Sequence, residues 1–115
     1  MLGVCAAFAG NKNENESRKW DMNINMEKLG RCLNLKGGQY DEVYGINEYF
    51  TEKMRTVAHV KAEKQGQRVR EAVYGNFKMM KQALNDDQYR KYVQLMNLTL
   101  KNKGLDVYME DVAGR

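Results

Sequence analysis

Proline is absent from the 115 residues, where average usage of about 5% would place roughly six. A strand-rich domain with many turns rarely does without it, whereas long helices exclude it. One histidine and two cysteines leave no material for most zinc sites or for a disulfide framework. Long hydrophobic runs are missing too. The longest apolar stretch, residues 1–10, is about half of what a bilayer crossing needs, so no transmembrane segment is expected. No segment alternates apolar and polar residues convincingly over five positions, which removes the usual signal of a half-buried strand. Paired catalytic carboxylates, a phosphate loop and an oriented triad are all lacking, so the expectation is not an enzyme, with no cofactor. No recognition helix, ribonucleoprotein motif or zinc-finger spacing points to nucleic acid.

What is present suits one domain. Hydrophobic residues make up 43% of the chain, and the 30% that are charged are mixed in sign, with a net charge of +4. Residues 1–9 end in Ala7-Phe8-Ala9, a pattern a signal peptidase could cut after Ala9, and an abruptly polar segment follows. They read as the C-terminal part of a truncated secretory signal peptide, which implies a periplasmic or secreted protein. The alternative is a frayed apolar N-terminus of a cytosolic one. A lipoprotein site at Cys5 is the weaker reading, because Val4 is large where such sites want Gly or Ala.

Residues 10–21 read as a flexible polar arm, 22–104 as a single all-helical domain and 105–115 as an acidic tail. Four helices are predicted. The first spans about Met22 to Leu33, with Asp21 as its cap and Met22, Met26, Leu29 and Leu33 as its stripe. The second spans about Gly38 to Lys64 and carries Tyr40, Val43, Ile46 or Asn47, Phe50, Met54 and Val57. Gly66 marks a bend. The third spans about Gln67 to Ala83, with Val69, Val73, Phe77, Met80 and Leu84. The fourth spans about Asp86 to Lys103, with Tyr89, Tyr92 or Val93, Met96 and Leu100, and Gly104 sits where a terminating glycine belongs. The architecture expected is all-α, built around a long amphipathic helical hairpin. Its narrow stripes leave one side wet, which a second copy of the chain could cover, making a dimer. Gly45 and Gly75 each follow Val-Tyr inside a predicted helix. Either they mark a close helix crossing or the match is chance.

One pattern occurs twice, 49 residues apart. Leu35-Lys36-Gly37-Gly38-Gln39-Tyr40 and Leu84-Asn85-Asp86-Asp87-Gln88-Tyr89 share L-x-x-x-Q-Y. In the second copy Asn85 can accept from the free N–H groups of a helix start while Gln88 reaches back, a capping box. Asp86 and Asp87 then stand at the positive end of the dipole and precede Arg90 and Lys91 by four residues. In the first copy Lys36 cannot cap, so Gly38 or bare backbone must open the helix. With helix-start residues Leu35, Gln39, Leu84, Asn85 and Gln88, the pair resembles the two L-T-x-x-Q motifs of Spy/CpxP-type periplasmic stress proteins, over roughly residues 26–100. The motif threonine is Lys36 in one copy and Asn85 in the other, and the stretch between them is short for that family. The resemblance implies a hairpin-based dimer that chaperones without ATP or modulates envelope stress. Some relatives sense metals.

The surface carries a local excess of one sign. Within residues 53–70, Lys53, Arg55, Lys61, Lys64, Arg68 and Arg70 face only Glu63. Such a patch attracts acidic partners, including unfolded acidic polypeptides, unless it is simply a solvated turn. Met22, Met26, Met54, Met79, Met80 and Met96 could ligate copper(I), but their stripe positions favour core packing, and no metal site is assigned. His59 has nothing to orient it as a partner for Cys32, which reads as a half-buried helix residue. Asn15-Glu16-Ser17 and Asn97-Leu98-Thr99 match the glycosylation sequon by chance. The function expected is a non-enzymatic periplasmic protein that binds other polypeptides, chaperone-like or stress-related. Alternatives are an envelope module with one fixed partner and a metal-responsive protein.

Overall fold

The computed structural model describes residues 20–22 and 24–105. The leader through residue 9, Cys5, the first sequon, most of the arm and the tail beyond Leu105 lie outside the described residues. Four α-helices follow in order: α1 Met26–Leu33, α2 Gln39–Thr56, α3 Ala62–Ala83 and α4 Asp86–Asn102. No strand forms among the described residues, and none of the helices is long and apolar enough to cross a membrane.

Helix α1 begins four residues later than the periodicity predicts. Asn25 is its cap, and the Asn25 side chain accepts from the Lys28 N–H at 3.0 Å, whereas Asp21 precedes the helix. Met22 and Trp20 are nonetheless buried, so chain ahead of the helix enters the core. The helix ends at Asn34, left-handed at φ 57°, whose N–H reaches back to Gly30 and Arg31. Asn tolerates this conformation better than most side chains.

The long second helix is broken earlier than expected. α2 stops at Thr56, a 3₁₀ turn covers Val57–His59, and Val60 is extended. Gly66 is not the bend. It lies inside α3, which starts at Ala62. Two observations explain the shift. Val57 is buried and anchors the turn to the core, and Gln65 Nε2 donates to the carbonyls of Val57 and Val60, both at 3.2 Å. A side chain one turn into α3 thus satisfies the Val60 carbonyl and adds a second donor to the Val57 carbonyl, which also accepts from the Val60 N–H at 3.0 Å.

The fourth helix matches its predicted limits. Its C-terminus closes on Gly104 at φ 77°, where a Cβ would be strained, and Leu105 beyond it is buried. α2 packs most extensively on α3, while α4 contacts both α3 and α1.

One core cluster holds the helices together. Leu29 and Leu33 of α1, Val43, Phe50 and Met54 of α2, Val69, Val73 and Met80 of α3, and Tyr92, Met96 and Leu100 of α4 are all essentially inaccessible. Burying each such side chain is worth about 1.5–3 kcal/mol. Four of the six methionines weighed as ligands, Met22, Met54, Met80 and Met96, belong to this cluster, and Met26 and Met79 are half-buried. Where periodicity left a choice, Asn47 and Tyr92 take the buried positions rather than Ile46 and Val93. Gly45 and Gly75 mark no helix crossing among the described residues: a Cβ added at either meets nothing there within 4 Å.

Candidate functional site

The two motif copies meet in space. Gln39 is the first residue of α2 and Gln88 the third of α4, and their side-chain amides bond to each other reciprocally. Gln39 Nε2 donates to Gln88 Oε1 at 2.8 Å, and Gln88 Nε2 donates to Gln39 Oε1 at 3.1 Å. Each glutamine also accepts from the backbone N–H three residues before it: Lys36 to Gln39 at 3.1 Å and Asn85 to Gln88 at 2.9 Å. Each donates to a carbonyl at the end of the helix preceding the other motif. Gln39 Nε2 reaches Ala83 O at 3.1 Å, and Gln88 Nε2 reaches Leu33 O at 3.1 Å and Asn34 O at 3.4 Å. The 49-residue repeat is therefore a local pseudo-two-fold clasp that joins the starts of α2 and α4 to the ends of α1 and α3.

The copies differ where the sequence predicts. Asn85 Oδ1 accepts from the Gln88 N–H at 2.8 Å and completes the capping box. α2 has no side-chain cap, and Gly38 occupies the cap position. Lys36 contributes only its backbone. What sequence reasoning missed is that the glutamines bind each other. Their equal offset from Lys36 and Asn85 was the available signal. A shallow polar cleft of about 410 Å³ lies over the clasp, with Lys36, Asp87 and Lys91 at its edge. Asp87 pairs with Arg90 at 3.1 Å, one turn on, with both side chains exposed.

A second buried polar group lies among α2, α3 and α4. The Tyr92 hydroxyl donates to Asn76 Oδ1 at 2.6 Å, with Asn47 Oδ1 3.4 Å away, and Asn47 Nδ2 points to Met26 Sδ at 3.6 Å. Asn76 Nδ2 is buried without a partner in the described residues. Burial holds the Tyr92 hydroxyl protonated far above the usual phenol range. The Asn76 bond opposes that shift and Tyr89 adds to it.

The six residues of the predicted basic patch lie on either side of the turn between α2 and α3. Arg55 is taken up by Glu52 at 3.1 Å and Asp21 at 3.8 Å, and Lys53 Nζ stands 5.6 Å from the centre of the Tyr49 ring. Arg70 is half-buried. Lys61, Lys64 and Arg68 are exposed at the start of α3. They recur at i, i+3 and i+7 and share one side of that helix. Exposed apolar groups are mainly tyrosines: Tyr40, Tyr44, Tyr49 and Tyr74 are 41–54% exposed, and so is Leu98. Lys78 stands over Tyr74 as Lys53 does over Tyr49. His59 is exposed on the turn after α2, Cys32 is half-buried on α1, and among the described residues no three His, Cys, Asp or Glu are placed to hold a metal ion together. Thr99 of the second sequon is buried and donates to the Leu95 carbonyl.

No family model matches this chain, and no curated protein or solved structure matches it.

Proposed function

We propose that this chain is a non-enzymatic, chaperone-like polypeptide-binding protein of the Spy/CpxP type, a hairpin-based homodimer working in the periplasm. The observation that carries the reading is the surface. Four half-exposed tyrosines and Leu98 offer apolar area with polar edges, interleaved with lysines and an exposed stripe of Lys61, Lys64 and Arg68. Tyrosine supplies large contact area with few rotatable bonds, and cations at its margin select for acidic chain. The clasp supports the family reading, since both glutamine motifs open helices and act as a pair. The test is suppression of aggregation of an unfolded acidic client. Suppression by the wild type that is lost in Tyr44→Ser/Tyr49→Ser/Tyr74→Ser, with unchanged helical circular dichroism, is the expected result. No suppression by the wild type would leave an envelope module with one fixed partner as the better reading.

A further inference from the structure

Three features of α2 and α3 weaken the single chain. Gly45 lies inside α2 on its exposed side, where glycine weakens a helix and no neighbour requires it. Glu48 and Glu52, both exposed, stand four residues apart and repel, and of the two it is Glu52 that pairs among the described residues, with the exposed Arg55. Lys64 and Arg68 repel likewise, and Lys61 and Lys64 sit at the positive end of the α3 dipole, where Glu63 offsets only part of their charge. Local rules broken without a gain inside the fold mark surfaces used elsewhere.

The broken rules are complementary. At 100° per residue, Gly45, Glu48 and Glu52 fall on one line opposite the buried Val43, Asn47, Phe50 and Met54. Tyr44 and Tyr49, each about half exposed, flank it. Lys61, Lys64 and Arg68 form a line of opposite charge and similar length. Both run away from the turn joining α2 to α3, reaching about 17 Å from it at Gly45 and about 9 Å at Arg68, at 1.5 Å per residue. A bare glycine backbone between two aromatic flanks lets another helix approach closely.

We propose that the Gly45–Glu48–Glu52 face of α2 docks the Lys61–Lys64–Arg68 face of α3 from a second copy of this chain. In a closed two-fold pair the contact is made twice, because each copy carries both faces at the same end. The inference rests on the reading above that the cationic stripe takes acidic polypeptide, and it names the first such partner as the protein itself. Self-association then covers the stripe that clients would use.

Sedimentation equilibrium tests this with charge reversals. The wild type forms a two-chain species at low salt, and its affinity falls at least tenfold in about 1 M salt, where the screening length is about 3 Å. Glu48→Lys/Glu52→Lys and Lys64→Glu/Arg68→Glu are each monomeric, because like faces then meet. Mixed in equal amounts, the two variants recover the two-chain species, since each reversed face finds its opposite. Gly45→Gln raises the melting temperature yet weakens association tenfold or more, which a change in folding alone would not produce. Wild type that stays monomeric at about 1 mM, a weak affinity by any measure, overturns the proposal. So does a mixture that fails to recover while both variants keep native circular dichroism. Client suppression is read separately: a dimer without suppression retains this interface and removes chaperoning, and suppression by a strict monomer does the reverse.

Discussion

The glutamine clasp concentrates several backbone obligations on two side chains. Gln88 satisfies the Asn85 N–H and the Leu33 carbonyl and meets Gln39. Removing it leaves buried groups unpaired at about 1–3 kcal/mol each, so Gln88→Ala costs more than Asn85→Ala, for which about 0.5–2 kcal/mol is expected. Asn85→Ala keeps the backbone N–H and loses only the cap. Lys36→Ala changes little, because the lysine lends the clasp only backbone groups, its N–H and its carbonyl. Denaturant melts that give Lys36→Ala and Asn85→Ala equal effects would contradict this asymmetry. A double-mutant cycle on Gln39 and Gln88 yields a coupling of about 0.5 kcal/mol or more. Tyr92 sets a second test. Its hydroxyl is held protonated by burial, whereas in the unfolded chain it ionises near pH 10. Above that pH the unfolded state releases a proton that the folded state keeps, so stability is full below about pH 10 and falls as pH rises, by up to about 1.4 kcal/mol per unit. Tyr92→Phe loses the Asn76 bond and is weaker at neutral pH, but its stability falls less steeply in alkali. Parallel slopes for the two proteins between about pH 9 and 11 would remove Tyr92 as the cause.

Elements were legible where their signals are local. The start of α4 was readable because Asn85 and Gln88 lie three residues apart and cap within one turn, and its end because Gly104 alone takes the left-handed position there without strain. The α2–α3 boundary was not. Gly66 permits a bend, yet what places the turn is burial of Val57 and a bond from Gln65 to two carbonyls five and eight residues back. Neither is visible in periodicity, which sees one continuous stripe. The start of α1 failed likewise: Met22 keeps the spacing of a helical stripe and is buried, but it is buried from chain that precedes the helix. In the site, the paired motifs were legible as a repeat, but their meeting across 49 residues was a tertiary fact. The turn offers the prediction at this scale. Gln65→Ala leaves the Val60 carbonyl to water, removes one of two donors from the Val57 carbonyl and costs about 1 kcal/mol. Hydrogen exchange should quicken at the α2 end and turn while α4 is unaffected. Uniform quickening would mean that the turn does not open as a local unit.

At the scale of the whole molecule, charge and apolar area divide the work of binding. The net charge of +4 is modest, and ion pairs within the chain absorb part of the cations, notably Arg55 and Arg90. Lys61, Lys64 and Arg68 stand exposed beside the turn, as Lys36, Lys81, Lys91 and Lys101 do elsewhere, with tyrosines along the helices. Electrostatic attraction acts at the range of the screening length, about 10 Å in 0.1 M salt, and therefore governs encounter. Apolar contact acts only after encounter and is not screened. Acidic clients are accordingly expected to be protected better than basic ones at low salt. The preference shrinks as salt rises, while a part common to both persists. Reversal of Lys61, Lys64 and Arg68 to Glu should slow association with the acidic client more than it speeds dissociation. It should leave the salt-resistant part intact, because the tyrosines are untouched. Suppression of aggregation, measured with one acidic and one basic client at low and high salt, separates the two contributions. Equal protection of both clients by wild type and triple variant would show that the cations take no part in client binding. The tyrosines would then account for all of it, and the stripe would be left to a partner of fixed shape.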